Sequence, residues 1–297
     1  MTLYTHASAN RWRSAVLLTA FVGVIGLLGY AVAYGFDRPE ILPIAVVIAL
    51  VQAWVSYFYS DSVALAISQA KPATGAQWRE LNRIVENLSI TAGLPKPRVF
   101  IIDDTAPNAF ATGRNPQHAA IAVTTGLIDK LERSELEGVI AHELSHVGNY
   151  DIRFMSMVVV LIGIATLISD FIWHWSWGLG RDNNSEGGQA KAILFVVAII
   201  LTILAPLIGT LMQLAISRKR EFMADADGAL LTRYPEGLAN ALKKISTDTE
   251  PLEVANKATA HLYIASPLKG DKRSRGWLAS LFLTHPPVEE RIKALLH

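Results

Sequence analysis

The chain of 297 residues contains no cysteine. Disulfide bonds and thiolate metal ligands are therefore excluded, and any bound metal must be held by histidine, aspartate or glutamate. The chain also lacks an excess of charge. Its 27 basic and 26 acidic residues leave a formal net charge of +1, so nothing predicts nucleic-acid binding. Apolar residues, by contrast, make up 51% of the sequence, slightly more than in typical soluble domains.

Four long and largely uncharged segments predict about four transmembrane helices, since a helix needs about 20 apolar residues to cross a bilayer. The segments span residues 14–36, 41–60, 154–172 and 192–217, with approximate ends. The third segment is marginal, because only about 16 uncharged residues precede Asp170. Three tryptophans just beyond it, at positions 173, 175 and 177, are typical of an interfacial aromatic belt.

A buried core helix is the alternative for each of these segments. The first segment also has a second alternative, a cleaved signal peptide, because Ala31-Val32-Ala33 is typical of a cleavage site. Its apolar run exceeds the usual signal-peptide length of about 7–15 residues, which favours an uncleaved anchor.

The distribution of lysine and arginine predicts the orientation in the membrane. Basic residues precede the first segment, at Arg11 and Arg13, and follow the fourth, at residues 218–220. The loops on the other side carry few positive charges. Because positive flanks favour the cytoplasm, we expect both termini and residues 61–152 on the cytoplasmic side of the cell (inner) membrane.

The parts between these segments predict an α+β soluble domain with a small sheet and several helices. An amphipathic helix is expected from Thr74, as its N-cap, to Gly93. Strands are expected at residues 98–102, 108–112 and 119–123, and a second helix from Ser134, with Glu137 completing a capping box. The domain boundaries follow: two membrane helices in 1–60, the first catalytic part in 61–152, a membrane hairpin in 153–217 and the second catalytic part in 218–297.

Residues 142–146 form an H-E-L-S-H motif inside the second predicted helix. Four residues make about one helical turn, so His142 and His146 face the same way and both imidazoles can reach one ion. Two neutral imidazoles suit zinc. Glu143, about 100° round the helix, can take the proton of a water molecule at the ion, and that water then attacks the scissile carbonyl.

The alternative for this motif is a pair of surface histidines on an amphipathic helix. The apolar neighbours Ala141, Leu144 and Val147 favour a helix packed in a core instead. Charged residues just upstream, among them Glu132 and Arg133, argue against a site embedded in lipid.

A catalytic zinc needs a third protein ligand and an open position. Glu221 and Asp225 lie one turn apart after the fourth hydrophobic segment, so Glu221 can reach the metal and Asp225 can orient a ligand imidazole. The alternative is a solvated acidic face behind a basic stretch. Asp227 is expected to face solvent.

Four motifs in this order resemble those of the M48 metallopeptidases, and within that family the membrane-anchored heat-shock proteases of bacteria. The motifs are H-E-L-S-H, the downstream R-E-F-M-A-D, the upstream N-A-F-A-T-G-R and the C-terminal T-H-P-P-x-x-E-R. The resemblance covers nearly the whole chain, and the third hydrophobic segment is its weakest part.

The resemblance implies a gluzincin-like domain with one zinc ion per subunit on His142, His146 and Glu221, and with Glu143 as the catalytic base. It implies that His285 stabilises the oxyanion of the reaction and that Arg291 pairs with Asp225 or another carboxylate. It further implies a substrate-binding edge strand beside the cleft. That strand is formed by Asn108, Ala109, Phe110 and Ala111. The alternatives are an ordinary strand there and a solvated arginine at a proline-started helix.

The combined prediction is a mostly helical α+β membrane protein, a zinc endopeptidase that cuts misfolded or damaged membrane proteins during stress. Its expected partners are unfolded or membrane-protein substrates and the lipid bilayer. Two alternatives stay open: a peptidase for prenylated C-termini, and a membrane scaffold whose zinc is structural. The sequence does not indicate the oligomeric state.

Overall fold

The computed structural model of the protein describes residues 3–35, 37–161, 218–254, 259–265, 267 and 286–297. Most of the third predicted membrane segment and all of the fourth lie outside the described residues. So does His285. Residues 154–161, where the third predicted segment starts, are helical and buried.

Nine helices and four strands lie in the described parts of the chain. The helices are α1 (Leu3–Gly35), α2 (Ile41–Ile67), α3 (Arg79–Ala92), α4 (Thr125–Lys130), α5 (Arg133–Gly148), α6 (residues 151–161), α7 (Arg218–Thr232), α8 (Pro235–Thr247) and α9 (Val288–Leu296). The strands are β1 (Lys71–Pro72), β2 (Arg98–Ile102), β3 (Ala109–Thr112) and β4 (Ala120–Thr124).

The first two predicted membrane segments form helices that pack against each other. Within the described parts of the chain, α2 is the one helix long and apolar enough to cross a membrane, with a mean hydropathy of 2.1. Only 11% of its most apolar window is buried, so its apolar side chains face outward, unlike those of a soluble core helix. Helix α1 carries a shorter apolar stretch at Ser14–Leu27.

The four strands form one mixed sheet in the order β1-β2-β4-β3. The two central strands, β2 and β4, run parallel, with Phe100 opposite Ala122. Strand β3 pairs with β4 in antiparallel orientation and lies at one edge of the sheet. All five residues of β4 are buried, because both faces of the sheet are covered.

Alternating side chains divide the sheet between two apolar cores. One face, which includes Val99, Ile101 and Ile121, packs on α3 and α5. The opposite face, which includes Ile102 and Phe110, packs on the end of α2 and on α6. It also packs on Leu252, Leu262 and Tyr263. The sheet and its covering helices are therefore joined directly to the end of the candidate membrane helix.

The three strands predicted from the sequence are present with ends shifted by at most one residue. The helix expected from about Ser134 begins at Arg133, but both predicted N-cap residues are wrong. Thr74 does not cap α3, which begins after a short 3-10 turn with Trp78 at its N-cap. Helix α5 is capped by Glu132, whose side chain forms a capping box with Glu135, two residues earlier than the predicted pair of Ser134 and Glu137. A glutamate side chain can thus do what the shorter serine was expected to do.

We expect Gly138→Ala to lower the thermal unfolding midpoint, because a Cβ at Gly138 would lie 2.7 Å from the backbone nitrogen of Leu238 in α8. Such overpacking costs about 1–3 kcal/mol, against a gain of about 1 kcal/mol in helix propensity. Gly148→Ala on the same helix is the control, since its Cβ would meet only the Leu94 side chain at 3.6 Å. Equal midpoints for the two variants would contradict the close packing of α5 on α8.

Candidate metal centre

Helix α5 carries the H-E-L-S-H motif into the interior of the protein. His142, Glu143 and His146 are 1%, 2% and 5% exposed. The helix lies between α3 and the sheet on one side and α7 and α8 on the other. Buried imidazoles and carboxylates need partners, so the surroundings of these side chains decide what they can do.

Helix α7 crosses α5 at the motif and brings a carboxylate to it. Its buried residues Glu221, Ala224, Asp225 and Gly228 recur at helical spacing and form one face. Gly228 permits the close approach, because a Cβ there would lie 3.0 Å from the backbone nitrogen of His142. The approach places Glu221 and Asp225 against the imidazoles.

Three side chains meet at one point of this contact. The Nε2 atoms of His142 and His146 lie 3.2 Å apart. Glu221 has Oε1 3.5 Å from Nε2 of His146 and Oε2 3.9 Å from Nε2 of His142. Ligand atoms at 2.0–2.2 Å from a tetrahedral zinc ion lie about 3.3–3.6 Å from one another, so this donor set fits such an ion.

The imidazole of His142 is oriented by a buried pair of charges. Its Nδ1 lies 2.9 Å from Oδ1 of Asp225. Arg291 of α9, fully buried, donates to both oxygens of that carboxylate, at 2.7 and 2.8 Å. Burial favours the neutral acid, but the bonds from Arg291 and His142 outweigh it and hold the pKa of Asp225 below its ordinary value. The pair therefore stabilises the fold above a pH of about 4 and is lost as the pH falls through the lowered pKa.

Arg291 also connects the site to the chain around it. Its Nη1 donates to the backbone carbonyl of Ile264 at 3.1 Å and lies 3.7 Å from Oε2 of Glu221. The guanidinium therefore lies within reach of both buried acidic side chains of α7, and it ties α9 to the metal centre.

The imidazole of His146 has a carboxylate of its own. Its Nδ1 lies 3.2 Å from Oδ2 of Asp151, and Arg220 donates to Oδ1 of the same carboxylate at 2.9 Å. Burial disfavours the charged imidazole, but Asp151, Glu221 and Glu143 outweigh it and raise the pKa of His146 to about 9. Reasoning from sequence did not identify Asp151 or Arg220. The available signal was an acidic residue shortly after the motif and a basic residue next to Glu221.

Glu143 lies between the imidazoles and the edge of the sheet. Burial raises its pKa above the ordinary value, although both imidazoles and a hydrogen bond from the backbone N–H of Ala111 act in the opposite direction. A carboxyl group with a raised pKa is suited to accepting and returning a proton near neutral pH. Strand β3 thus reaches the motif at Ala111.

The remainder of the predicted substrate edge is in contact with the protein's own chain. The backbone N–H of Ile264 donates to the carbonyl of Ala109 at 3.0 Å. The Asn108 side chain donates to the carbonyl of Ala265 at 3.0 Å and accepts from its N–H at 3.4 Å. Phe110 points to the opposite core, with its ring against Tyr263. Of the four residues predicted to bind substrate, Ala111 is therefore the one that lies beside Glu143.

Asp227 was expected to face solvent, and this expectation is wrong. The residue is half-buried, and its Oδ2 accepts from Ser145 at 2.8 Å and from Asn149 at 3.2 Å. Both partners lie on or next to α5, so Asp227 adds a second tie between α5 and α7. The sequence could not show this, because the crossing of the two helices decides which side of α7 is covered.

The chain is similar to known proteins along nearly its whole length. Residues 76–297 match peptidase family M48. A protease HtpX homolog of Thermoanaerobacter pseudethanolicus is 42% identical over 302 residues, which cover 99% of this chain and 97% of that protein. Another, of Ligilactobacillus salivarius, is 41% identical over 299 residues and 99% of each chain.

A solved structure shares the fold. The crystal structure of Ste24p from S. mikatae matches 99% of this chain and 67% of its own, with a TM-score of 0.52 and 20% sequence identity. At that identity the likeness concerns the arrangement of helices and strands alone.

We expect Arg291→Met to lower the free energy of unfolding by about 3–5 kcal/mol, because it leaves the Asp225 carboxylate buried without its guanidinium. Unfolding in detergent with a chemical denaturant measures the change. Arg133→Met is the matched control, since Arg133 forms exposed ion pairs with Glu80 and Glu137 whose loss costs about 1 kcal/mol or less. A small effect of Arg291→Met, similar to that of the control, would show that the pair is not buried as described.

Proposed function

The chain belongs to peptidase family M48 and is a zinc-dependent metallopeptidase, and on this premise we propose that it cuts misfolded or damaged membrane proteins. The donor set formed by His142, His146 and Glu221 carries the proposal. We assign these three side chains as the zinc ligands. Their ligand atoms all lie within 4.8 Å of one another, at separations that suit tetrahedral coordination.

The bound zinc ion supplies a Lewis acid that makes hydroxide available near neutral pH and polarises the scissile carbonyl. The protein's side chains prepare that chemistry. Asp225 accepts from Nδ1 of His142 and so presents the Nε2 lone pair of that imidazole to the ion. Glu221 would bring one negative charge as the third ligand, and three protein ligands would leave room for water and substrate at the ion.

Glu143 acts as the general base and then as the general acid. Its raised pKa matches that double role, because the carboxylate takes a proton from the attacking water and returns it to the leaving amine. The hydrogen bond from Ala111 holds the carboxylate beside the sheet edge. The scissile peptide group is expected next to Glu143, on the side where Ala111 meets that carboxylate.

An extended substrate pairs with the edge of β3 at Ala111, which lies next to the base. Main-chain pairing of this kind tolerates varied side chains, as expected of an enzyme that cuts many unfolded substrates. Asn108 and Ala109, assigned to substrate binding from the sequence, are engaged by Ile264 and Ala265. They shape the end of the cleft in this arrangement. The role of His285 at the oxyanion rests on its motif alone.

The enzyme is anchored in the cell (inner) membrane, with its metal centre on the cytoplasmic side. Helix α2 has the length and apolar character of a membrane helix, and three residues separate its end from β1. Ala64 and Leu65 at that end pack into the core beneath the sheet. The cleft therefore lies close to the bilayer, where loops of membrane proteins are within reach. Residues 153–217, which separate the two parts of the catalytic domain along the chain, are proposed to form a second membrane hairpin.

We expect Glu143→Gln to abolish cleavage of casein and of membrane-protein substrates while zinc is retained, because only the base is lost. Glu221→Gln should lose the metal as well, since a neutral amide binds zinc weakly. Metal analysis of both purified variants, together with cleavage assays before and after chelation and zinc readdition, tests the assignment. Normal cleavage by Glu143→Gln would refute the mechanism.

The same assays separate the two alternatives. Cleavage of a prenylated C-terminal peptide in preference to casein would favour a prenyl-protein peptidase. Retained zinc without any cleavage by the wild-type protein would favour a scaffold with a structural metal.

Cysteine labelling tests the orientation directly, because the natural chain contains no cysteine. We expect Asn87→Cys, on the exposed face of α3, to react with a membrane-impermeant maleimide only after the inner membrane is opened. Glu40→Cys, in the exposed turn between α1 and α2, should react while that membrane is intact. The reverse pattern would place the metal centre outside the cell.

A further inference from the structure

We propose that Asp151 and Arg220 are positioning residues for the peptidase reaction. Together they hold the imidazole of His146 and connect it to the two ends of the proposed membrane hairpin. The inference rests on the proposed function, because it takes His146 as a zinc ligand. Neither residue touches the substrate or the ion. Asp151 acts on the imidazole, and Arg220 acts on Asp151.

The contacts are directional and buried. Asp151 is 5% exposed and uses its two oxygens for different partners. Oδ2 faces Nδ1 of His146 at 3.2 Å, and Oδ1 accepts from Nη1 of Arg220 at 2.9 Å. A proton on Nδ1 leaves the lone pair of Nε2 pointing at Glu221 and His142, which is the tautomer that a metal ligand needs.

The other imidazole has the same arrangement. His142 faces Asp225 through Nδ1, and Arg291 holds Asp225 by two hydrogen bonds. Each imidazole of the donor set therefore faces an aspartate through its Nδ1, and each of these aspartates accepts hydrogen bonds from an arginine. An aspartate with a guanidinium partner keeps its charge in a buried place, so it can fix the imidazole at neutral pH.

The two pairs differ in what they connect. Asp225 and Arg291 join α7 to the C-terminal helix α9. Asp151 is the first residue of α6, three residues before the third hydrophobic segment starts at Phe154. Arg220 lies in the first turn of α7, three residues after the fourth segment ends at Ser217. The contact of Asp151 with Arg220 thus closes the base of the proposed hairpin, and the same carboxylate orients the zinc ligand.

Loss of the Asp151 carboxylate should weaken zinc binding by about 10–100-fold, as found when a carboxylate partner of a ligand imidazole is removed. The turnover number at saturating zinc should fall as well, with KM little changed, because substrate contacts are intact. Arg220→Gln should have a smaller effect of the same kind, since Asp151 stays in place but is held less firmly. Arg220→Lys, which keeps the charge, should recover most of the loss.

The experiment uses the full chain in lipid nanodiscs and measures the zinc dissociation constant by competition with a chelator, together with kcat and KM at saturating zinc. The variants are Asp151→Asn, Arg220→Gln, Arg220→Lys and the double variant Asp151→Asn with Arg220→Gln. The double variant should bind zinc no more weakly than Asp151→Asn alone, because Arg220 acts through Asp151. Asp61→Asn, which removes an ion pair with Arg98 away from the metal centre, is the matched control.

The outcomes distinguish the inference from the function on which it rests. If Glu221→Gln keeps its zinc, the proposed metal centre itself is wrong. If Glu221→Gln loses zinc but Asp151→Asn binds it as the wild type does, only the positioning role is refuted. Fully additive effects in the double variant would show that Arg220 acts elsewhere. Should Asp151→Asn fail to fold, Asp151→Glu, which keeps the charge but moves the carboxylate, decides by the same measurement, and an unchanged dissociation constant would overturn the inference.

Discussion

The contact between α5 and α7 is the constraint on which the metal centre depends. Only this crossing brings Glu221 to the two imidazoles, from a position about 75 residues further along the chain. Gly228 makes the crossing close, because its missing side chain lets the backbone at His142 approach. The pairing of Asp227 with Ser145 and Asn149 prevents the helices from rotating against each other. Without that fixed angle, the third ligand would not meet the first two.

Burial of charge is the second feature that shapes the site. Glu143, Glu221, Asp225, Asp151 and Arg291 are all 5% exposed or less. Their desolvation is offset because acidic and basic groups alternate around the imidazoles. The same surroundings set the chemistry, since the bonds from Arg291 and His142 keep Asp225 charged and burial raises the pKa of Glu143. Stability and catalysis therefore depend on the same network, and a change in one member alters both.

The sheet contributes to the site through a single edge. Strand β3 was predicted as an edge strand, and the ladder order places it there. The sequence could not show that Ile264 and Ala265 would lie against the same edge, because they are more than 150 residues away along the chain. A long-range backbone contact leaves no local pattern of its own. The short strand β1 escaped notice for a related reason, since Lys71-Pro72 carries no alternating apolar pattern.

The sequence by itself determined the chemistry and the family of this protein. One helical turn separates His142 from His146, so their shared orientation follows from helix geometry alone, and the long apolar run of α2 likewise shows in its residues. Only the tertiary structure decided which carboxylates and guanidinium groups hold the two imidazoles in place. Asp151 lies on α6 and Arg220 on α7, two helices that meet only in the folded protein. The N-caps of α3 and α5 are Trp78 and Glu132, which no pattern in the sequence had indicated. Spacing along a chain predicts neighbours on one helix, whereas neighbours on different helices depend on crossings that sequence periodicity does not specify.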